Sequence, residues 1–319
     1  MKNTLILLCL SFAILTNSRI FGQVPALPDQ FGPHQWTATV QVVGEDGNPI
    51  IGANVSVQYT VPTSPNSGDQ DYGEVKGMTD TNGMFRALHT DSSWSLGVVV
   101  EKAGYYHTQM GHEFYFDDKR RNPSFTLLLK KIGKPIAMYA KSVNLGMPVF
   151  DKPAGFDLMV GDWVAPYGKG ITTDIIFTAH KEKRSEYDWD YNLVVSFPNP
   201  SDGIQEFSVP EIEKGSALRS LHEAPTNNYQ PQWVQTKAAR PHPGGYSGNW
   251  DQNRNYYFRV RTKVDDRGNI VSANYGKIYG DFMQFSYYLN PTLNDRNIEF
   301  DPKQNLLGGL QSFERANAP

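Results

Sequence analysis

The sequence predicts an all-β protein built as two consecutive β-sandwich-type units. Three observations carry this. Short segments alternate apolar and polar residues with period two, as in residues 53–60, where Ala53, Val55, Val57 and Tyr59 oppose Asn54, Ser56, Gln58 and Thr60. Turn signals such as EDGNP and TDTNG separate these segments at short intervals. The chain is also rich in aromatic residues (13%), with 28 Gly and 21 Pro, a strand-and-turn composition.

The first residues, MKNTLILLCLSFAILTNSRIFGQ, read as a secretory signal. Lys2 supplies the charged start, and residues 4–15 form an apolar run too short to span a bilayer as a helix. Gly22 precedes the expected cleavage site, so residues 1–22 are assigned to the signal and 23–35 to a linker. Leu8 stands where a lipoprotein needs a small residue before Cys9, which excludes lipidation there. Cys9 is the only cysteine, so the mature chain has no disulfide staple and rests on ordinary cores. Removing Lys2 and Arg19 leaves 28 basic against 33 acidic residues, a net charge of −5. That balance argues against nucleic acid as a partner. No later run reaches the length of a membrane span. The expected localisation is periplasmic or secreted.

Residues 38–43 read as a strand, followed by the turn GEDGNPIIG, in which Gly47 takes a positive φ and Pro49 fixes the exit. The strand 53–59 comes next, then a polar insertion, TVPTSPNSGDQDYGEVKG, read as a mobile excursion. In TDTNGMF, Asp80 and Asn82 bond local amides, Gly83 takes the left-handed position and Phe85 re-enters the core. WSLGVVVEKAGY and SFTLLLKK are two further strands. In their order, VVGEDGNPIIGANVSV, TDTNGMF, EKAGYY and SFTLLLKK resemble carboxypeptidase regulatory-like domains over residues 36–132. The resemblance implies a transthyretin-like sandwich. It implies no activity, because such modules serve as spacers and adhesive units on many proteins. None of the seven histidines has a glutamate three residues later, which excludes the zinc-carboxypeptidase pattern. The chain ends ERANAP, not in the Tyr-Arg-Gly-Ser of transthyretin-like hydrolases.

Gly133 and Pro135 mark a seam, and residues 133–301 read as a second β-rich unit with a tail at 302–319. ITTDIIFTAHK places Thr173, Ile175, Phe177 and Ala179 on one face; DYNLVVSF does the same for Tyr191, Leu193, Val195 and Phe197. A long hairpin is expected to turn at residues 265–269. On its first strand Tyr256, Phe258, Val260 and Val264 should face the core, and Tyr257, Arg259, Arg261 and Lys263 the solvent. VPEIEKGSALRSLHEA reads as weakly helical.

GGYSGN lacks the last glycine of a nucleophile elbow, and no phosphate loop, dinucleotide fingerprint or zinc helix occurs. His107, His112 and Glu113 are too irregularly spaced to argue for a metal. No catalytic residue, cofactor or metal is therefore expected. One cluster offers ligand chemistry: Tyr187, Asp188, Trp189 and Asp190, in a region that also holds Trp163, Trp233 and Trp250. Flat rings cover the apolar face of a sugar while carboxylates bond its hydroxyls. A strand starting at Trp189, however, would put the ring and the carboxylates on opposite faces. The leading expectation is a non-catalytic structural or interaction protein with a protein or glycan partner on the cell exterior. A glycan-binding accessory protein is the first alternative, and a hydrolase with an unrecognised carboxylate site the second.

Overall fold

The computed structural model describes residues 34–62, 70–93, 95–113, 122–251 and 253–319. The segment read as a signal, and residues 63–69 of the polar insertion, lie outside the described residues.

The first sandwich uses β1 (His34–Gly44), β2 (Asn54–Pro62), β3 (Gln70–Met78), β4 (Met84–Asp91), β5 (Ser95–Glu101), β6 (Thr108–Glu113) and β7 (Ser124–Leu129). One sheet runs β4-β1-β7 and the other β3-β2-β5-β6. β1 begins two residues inside the stretch read as linker. The inward residues of the alternating strands, among them Ala38, Val40, Val55, Val57, Val98 and Leu127, are buried in one core. Each buried aliphatic side chain stabilises by about 1.5–3 kcal/mol relative to exposure. Trp36 is fully buried there, and its indole donates to Asp91 (3.2 Å). The turns form as their residues dictate. The Asp80 carboxylate accepts the amides of Asn82 and Met84, both at 2.8 Å, and Gly83 sits at φ 71°. A Cβ on Gly83 would lie 2.6 Å from the Val42 carbonyl, so glycine is required twice over.

The second unit also pairs two sheets. Sheet one takes β9 (Pro153–Asp157), β10 (Asp162–Trp163), β11 (Ile175–Lys183), β12 (Trp189–Ser196), β14 (Gln232–Arg240) and β15 (Gly245–Gly248), in the order β10-β9-β11-β12-β14-β15. Sheet two takes β8 (Ile136–Asn144), β13 (Gly203–Phe207), β16 (Asn255–Val264), β17 (Ile270–Asp281), β18 (Gln284–Leu289) and β19 (Phe300–Asn305), in the order β13-β16-β17-β18-β8-β19. Phe156, Phe177, Leu193, Val195, Tyr256 and Phe285 are among the residues that fill the space between them.

Two expectations are corrected here. The strand expected to show a solvated cationic face instead carries a bulge at Arg261, at φ 56°. The extra residue reverses the alternation, so Thr262 is buried and Val264 is exposed. Tyr257, on the face assigned to solvent, is buried and stacks on Phe207. The segment read as helical forms only a 3-10 turn at Glu211–Glu213, because its remainder docks on the first sandwich. The residues read as a tail, 302–319, pack against the second unit. Ala316 is buried, and the Pro319 carbonyl accepts from the buried side-chain nitrogen of Lys277 (2.9 Å).

Candidate functional site

Three groupings of chemically capable side chains stand out. The first joins the two sandwiches. Glu299 enters the seam and accepts the Tyr106 hydroxyl (2.7 Å) and the amides of Gly133 (2.9 Å) and Lys134 (3.2 Å). His222 Nδ1 lies 2.8 Å from the same carboxylate, and His222 Nε2 lies 3.2 Å from Glu45 of the first sandwich. Lys130 is buried against Glu213 (2.6 Å) and donates to the Ser220 carbonyl (3.0 Å). Main-chain bonds from Gln109 to Gly215 and from Ala217 to His107 extend the join. Burial would raise the Glu299 carboxyl, but His222, the Tyr106 hydroxyl and the Gly133 amide hold it down at about 2. The Glu299 carboxylate in turn raises His222.

The second grouping is the Arg261 corner. The guanidinium forks onto Asp174 (2.7 and 3.0 Å) and reaches Asp157 (3.3 Å), while the amides of Arg261 and Thr262 bond Asp202. All three aspartates are buried. Asp157 would rise by burial, yet amides from Thr172, Ile171, Met159 and Val160 lower it. Burial wins at Asp174 and Asp202, which are raised. These carboxylates fasten a bulge and two loops. Among the described residues no group of three potential ligand side chains is placed to hold a metal ion.

The third grouping is the open end of the second sandwich, where the sequence-predicted cluster lies. β12 starts at Trp189, so ring and carboxylates separate as alternation requires. Asp188 and Asp190 are engaged by Arg184 (2.7 and 2.6 Å), and Asp190 also by Arg240 (2.6 Å). These arginines lower both aspartates. Tyr187 is exposed in the preceding turn. Trp189 belongs to the core face with Tyr191, Leu193 and Val195, but lies beyond the core proper and is half-buried. The four predicted residues therefore do not converge on one surface.

Strand register brings other residues to Trp189. One cross-strand row is Lys183, Trp189, Ala239, Tyr246; the next is Lys181, Tyr191, Lys237, Gly248. The Trp189 and Tyr246 rings are 6.4 Å apart, and the Lys237 ammonium stands 4.3 Å from the Trp250 ring. Facing residues Met147 and Phe150 close a cleft of about 230 Å³ that Lys181, Trp189, Tyr191 and Lys237 line, with no carboxylate on its wall. Sequence reading missed these lysines and Tyr246, since only pairing between β11, β12, β14 and β15 unites them. Of the other tryptophans, Trp163 packs edge-on to Phe156 and Phe177, Trp233 packs edge-on to Tyr256, and Trp250 is partly exposed.

A separate polar cleft of about 550 Å³ includes Glu206, Glu211, Asp251 and Arg254. Glu206 is paired with Arg254 (3.0 Å) and Glu211 with Lys214.

No family model matches the chain, and no curated protein matches it. Among solved structures it is similar to 3-chlorocatechol 1,2-dioxygenase of Rhodococcus opacus 1CP, at 13% identity and TM-score 0.24. That match covers 33% of this chain and 62% of the dioxygenase chain, less than two thirds of its length. It is similar also to the D295N mutant of the shaft pilin SpaA of Lactobacillus rhamnosus GG (10% identity, 77% of this chain, 94% of the pilin, TM-score 0.22). A streptococcal ancillary pilin aligns at 10% identity over 86% of this chain and 63% of its own, with TM-score 0.18. Likeness of this degree carries neither fold nor function across to this chain. No described helix is long and apolar enough to cross a membrane.

Proposed function

We propose that this chain is an exported, non-catalytic structural and interaction protein of the periplasm or cell exterior. In this reading residues 36–132 form a carboxypeptidase regulatory-like module, held rigidly to the larger module at 133–301. The observation that carries it is the Glu299 junction. Its most strongly shifted carboxylate is buried between the sandwiches and bonded to both the module-joining segment and the first sandwich. A carboxylate held near 2 with four partners is a fastening, since general acid–base work needs a group poised nearer neutrality. Two of the three carboxylates named in the polar cleft support the same reading, Glu206 being engaged by Arg254 and Glu211 by Lys214.

Calorimetry on the full chain and on residues 36–132 alone tests this. The shorter piece, with its own core, should unfold cooperatively but at lower temperature than the full chain, which should show one transition. Two transitions in the full chain, one coincident with the isolated piece, would indicate a hinge and end the rigid-unit reading.

A second reading, glycan binding, is favoured by the ring-and-lysine face at the open end. Here Trp189 is the platform and Tyr187 an exposed flank, while Asp188 and Asp190 brace the hairpin through Arg184 and Arg240.

A further inference from the structure

We propose that the cleft at the open end of the second sandwich binds hexuronate residues of an acidic polysaccharide, the sugar ring lying on Trp189 and Tyr191 and its carboxylate held by Lys181 and Lys237. This rests on the glycan-binding reading and narrows it to a ligand class.

The charge of the face decides the class. Lys181, Lys183 and Lys237 share the inward side of β11 and β14, with Trp189 and Tyr191 between them. Among the described residues none of the three has an ion-pair partner, while Arg184 and Arg240 on the reverse side are saturated by Asp188 and Asp190. Lys237 meets only the face of Trp250. Three uncompensated ammonium groups on one small face of a net acidic chain form a local site for an anion. Lys181 and Lys237 flank Tyr191 in one row, two strand spacings or about 10 Å apart. Their flexible stems let both ammonium groups reach the edge of one pyranose ring.

Ring geometry selects the anion. A pyranose stacked flat on an aromatic ring offers its C–H face to the platform and projects its equatorial substituents sideways. The C5 carboxylate of a hexuronate then leaves at the ring edge, where the lysines are. The cleft volume of about 230 Å³ suits a single sugar unit, and the exposed rings of Tyr246, beside Trp189, and Trp250, beside Lys237, offer further surface to a polymer. The absence of any carboxylate on the wall removes repulsion that would penalise this ligand.

The experiment is isothermal titration of the full chain with oligomers of galacturonate, mannuronate and glucuronate-containing hyaluronate, beside neutral galacto- and cello-oligomers of equal length. At least one hexuronate oligomer should bind more tightly than every neutral one. Lys181→Ala and Lys237→Ala should each weaken it by about tenfold, the loss of one charge-assisted hydrogen bond. Trp189→Ala should abolish it, and polyaspartate should not compete. Equal binding of neutral oligomers, lost in Trp189→Ala but kept in the lysine variants, would overturn the hexuronate inference while leaving the glycan reading. Competition by polyaspartate would overturn it as mere charge attraction. Failure of every oligomer would overturn both. Circular dichroism confirms that the exposed-lysine variants stay folded.

Discussion

The seam between the sandwiches and the open end of the second one use the same kinds of side chain in opposite ways. At the seam, Lys130 is buried with Glu213 and the Ser220 carbonyl, and Glu299 has four partners. At the open end, Lys181 and Lys183 have no ion-pair partner among the described residues, and the aromatic rings beside them are part-exposed. A buried charge without a partner would cost several kcal/mol, so the seam must satisfy each one. An exposed lysine stays hydrated at little cost and remains available to a ligand. Satisfied charge therefore marks the structural region, and unsatisfied charge beside flat rings marks the proposed binding one.

Removing the seam's central carboxylate is the sharpest way to break this contrast. Glu299→Ala leaves His222, the Tyr106 hydroxyl and two amides without their acceptor. A loss of about 3–5 kcal/mol is expected, as for breaking one side of a buried pair. Urea denaturation measures it, and a change below about 1 kcal/mol would mean that the seam does not fasten the modules.

The open end should respond less. Trp189 is half-buried, and its ring stands over the edge of the core without filling it. Trp189→Ala should cost about 2 kcal/mol, below the 3–5 expected for a fully buried large aromatic. A full core-sized loss would reassign the ring to packing and weaken the binding role.

The smallest effect is a pH dependence, which sharpens the comparison because the titrating pair is in the seam. His222 is raised by Glu299, so its contribution is complete below its unfolded value near 6.5 and fades as pH rises through the higher folded value. Glu299 is lowered to about 2, so its contribution is complete above 4.5 and fades as pH falls toward about 2. The melting temperature should therefore be highest between these limits and decline as pH rises above 6.5. His222→Gln should flatten the alkaline side. The exposed His180 is also raised, by Asp151, so a decline that survives in His222→Gln would assign the effect to that pair.

Much of the architecture was legible because its causes are local. Period-two alternation sets which residues of β2, β11 and β12 enter a core, and the Asp-Gly and Asn-Gly turns fix where strands reverse. The turn at residues 265–269 forms through the Asp265 carboxylate accepting the amides of Arg267 and Asn269, with Gly268 at φ 80°. Alternation even required that Trp189 part from Asp188 and Asp190.

What the chain alone could not determine depends on residues distant in sequence. Arg261 breaks its strand's alternation because Asp157, Asp174 and Asp202 converge on it from three other segments. Residues 209–224 abandon a helical pattern because edge hydrogen bonds to His107 and Gln109 replace those a helix would supply. Only glycine fits at position 215, since a Cβ there would lie 2.1 Å from the Gln109 carbonyl. The residues after 301 are drawn in through distant contacts: Ala316 is buried, and the Pro319 carbonyl accepts from the buried side-chain nitrogen of Lys277. Lys181, Tyr191 and Lys237 likewise become neighbours only through strand pairing, which depends on how the whole sheet is assembled.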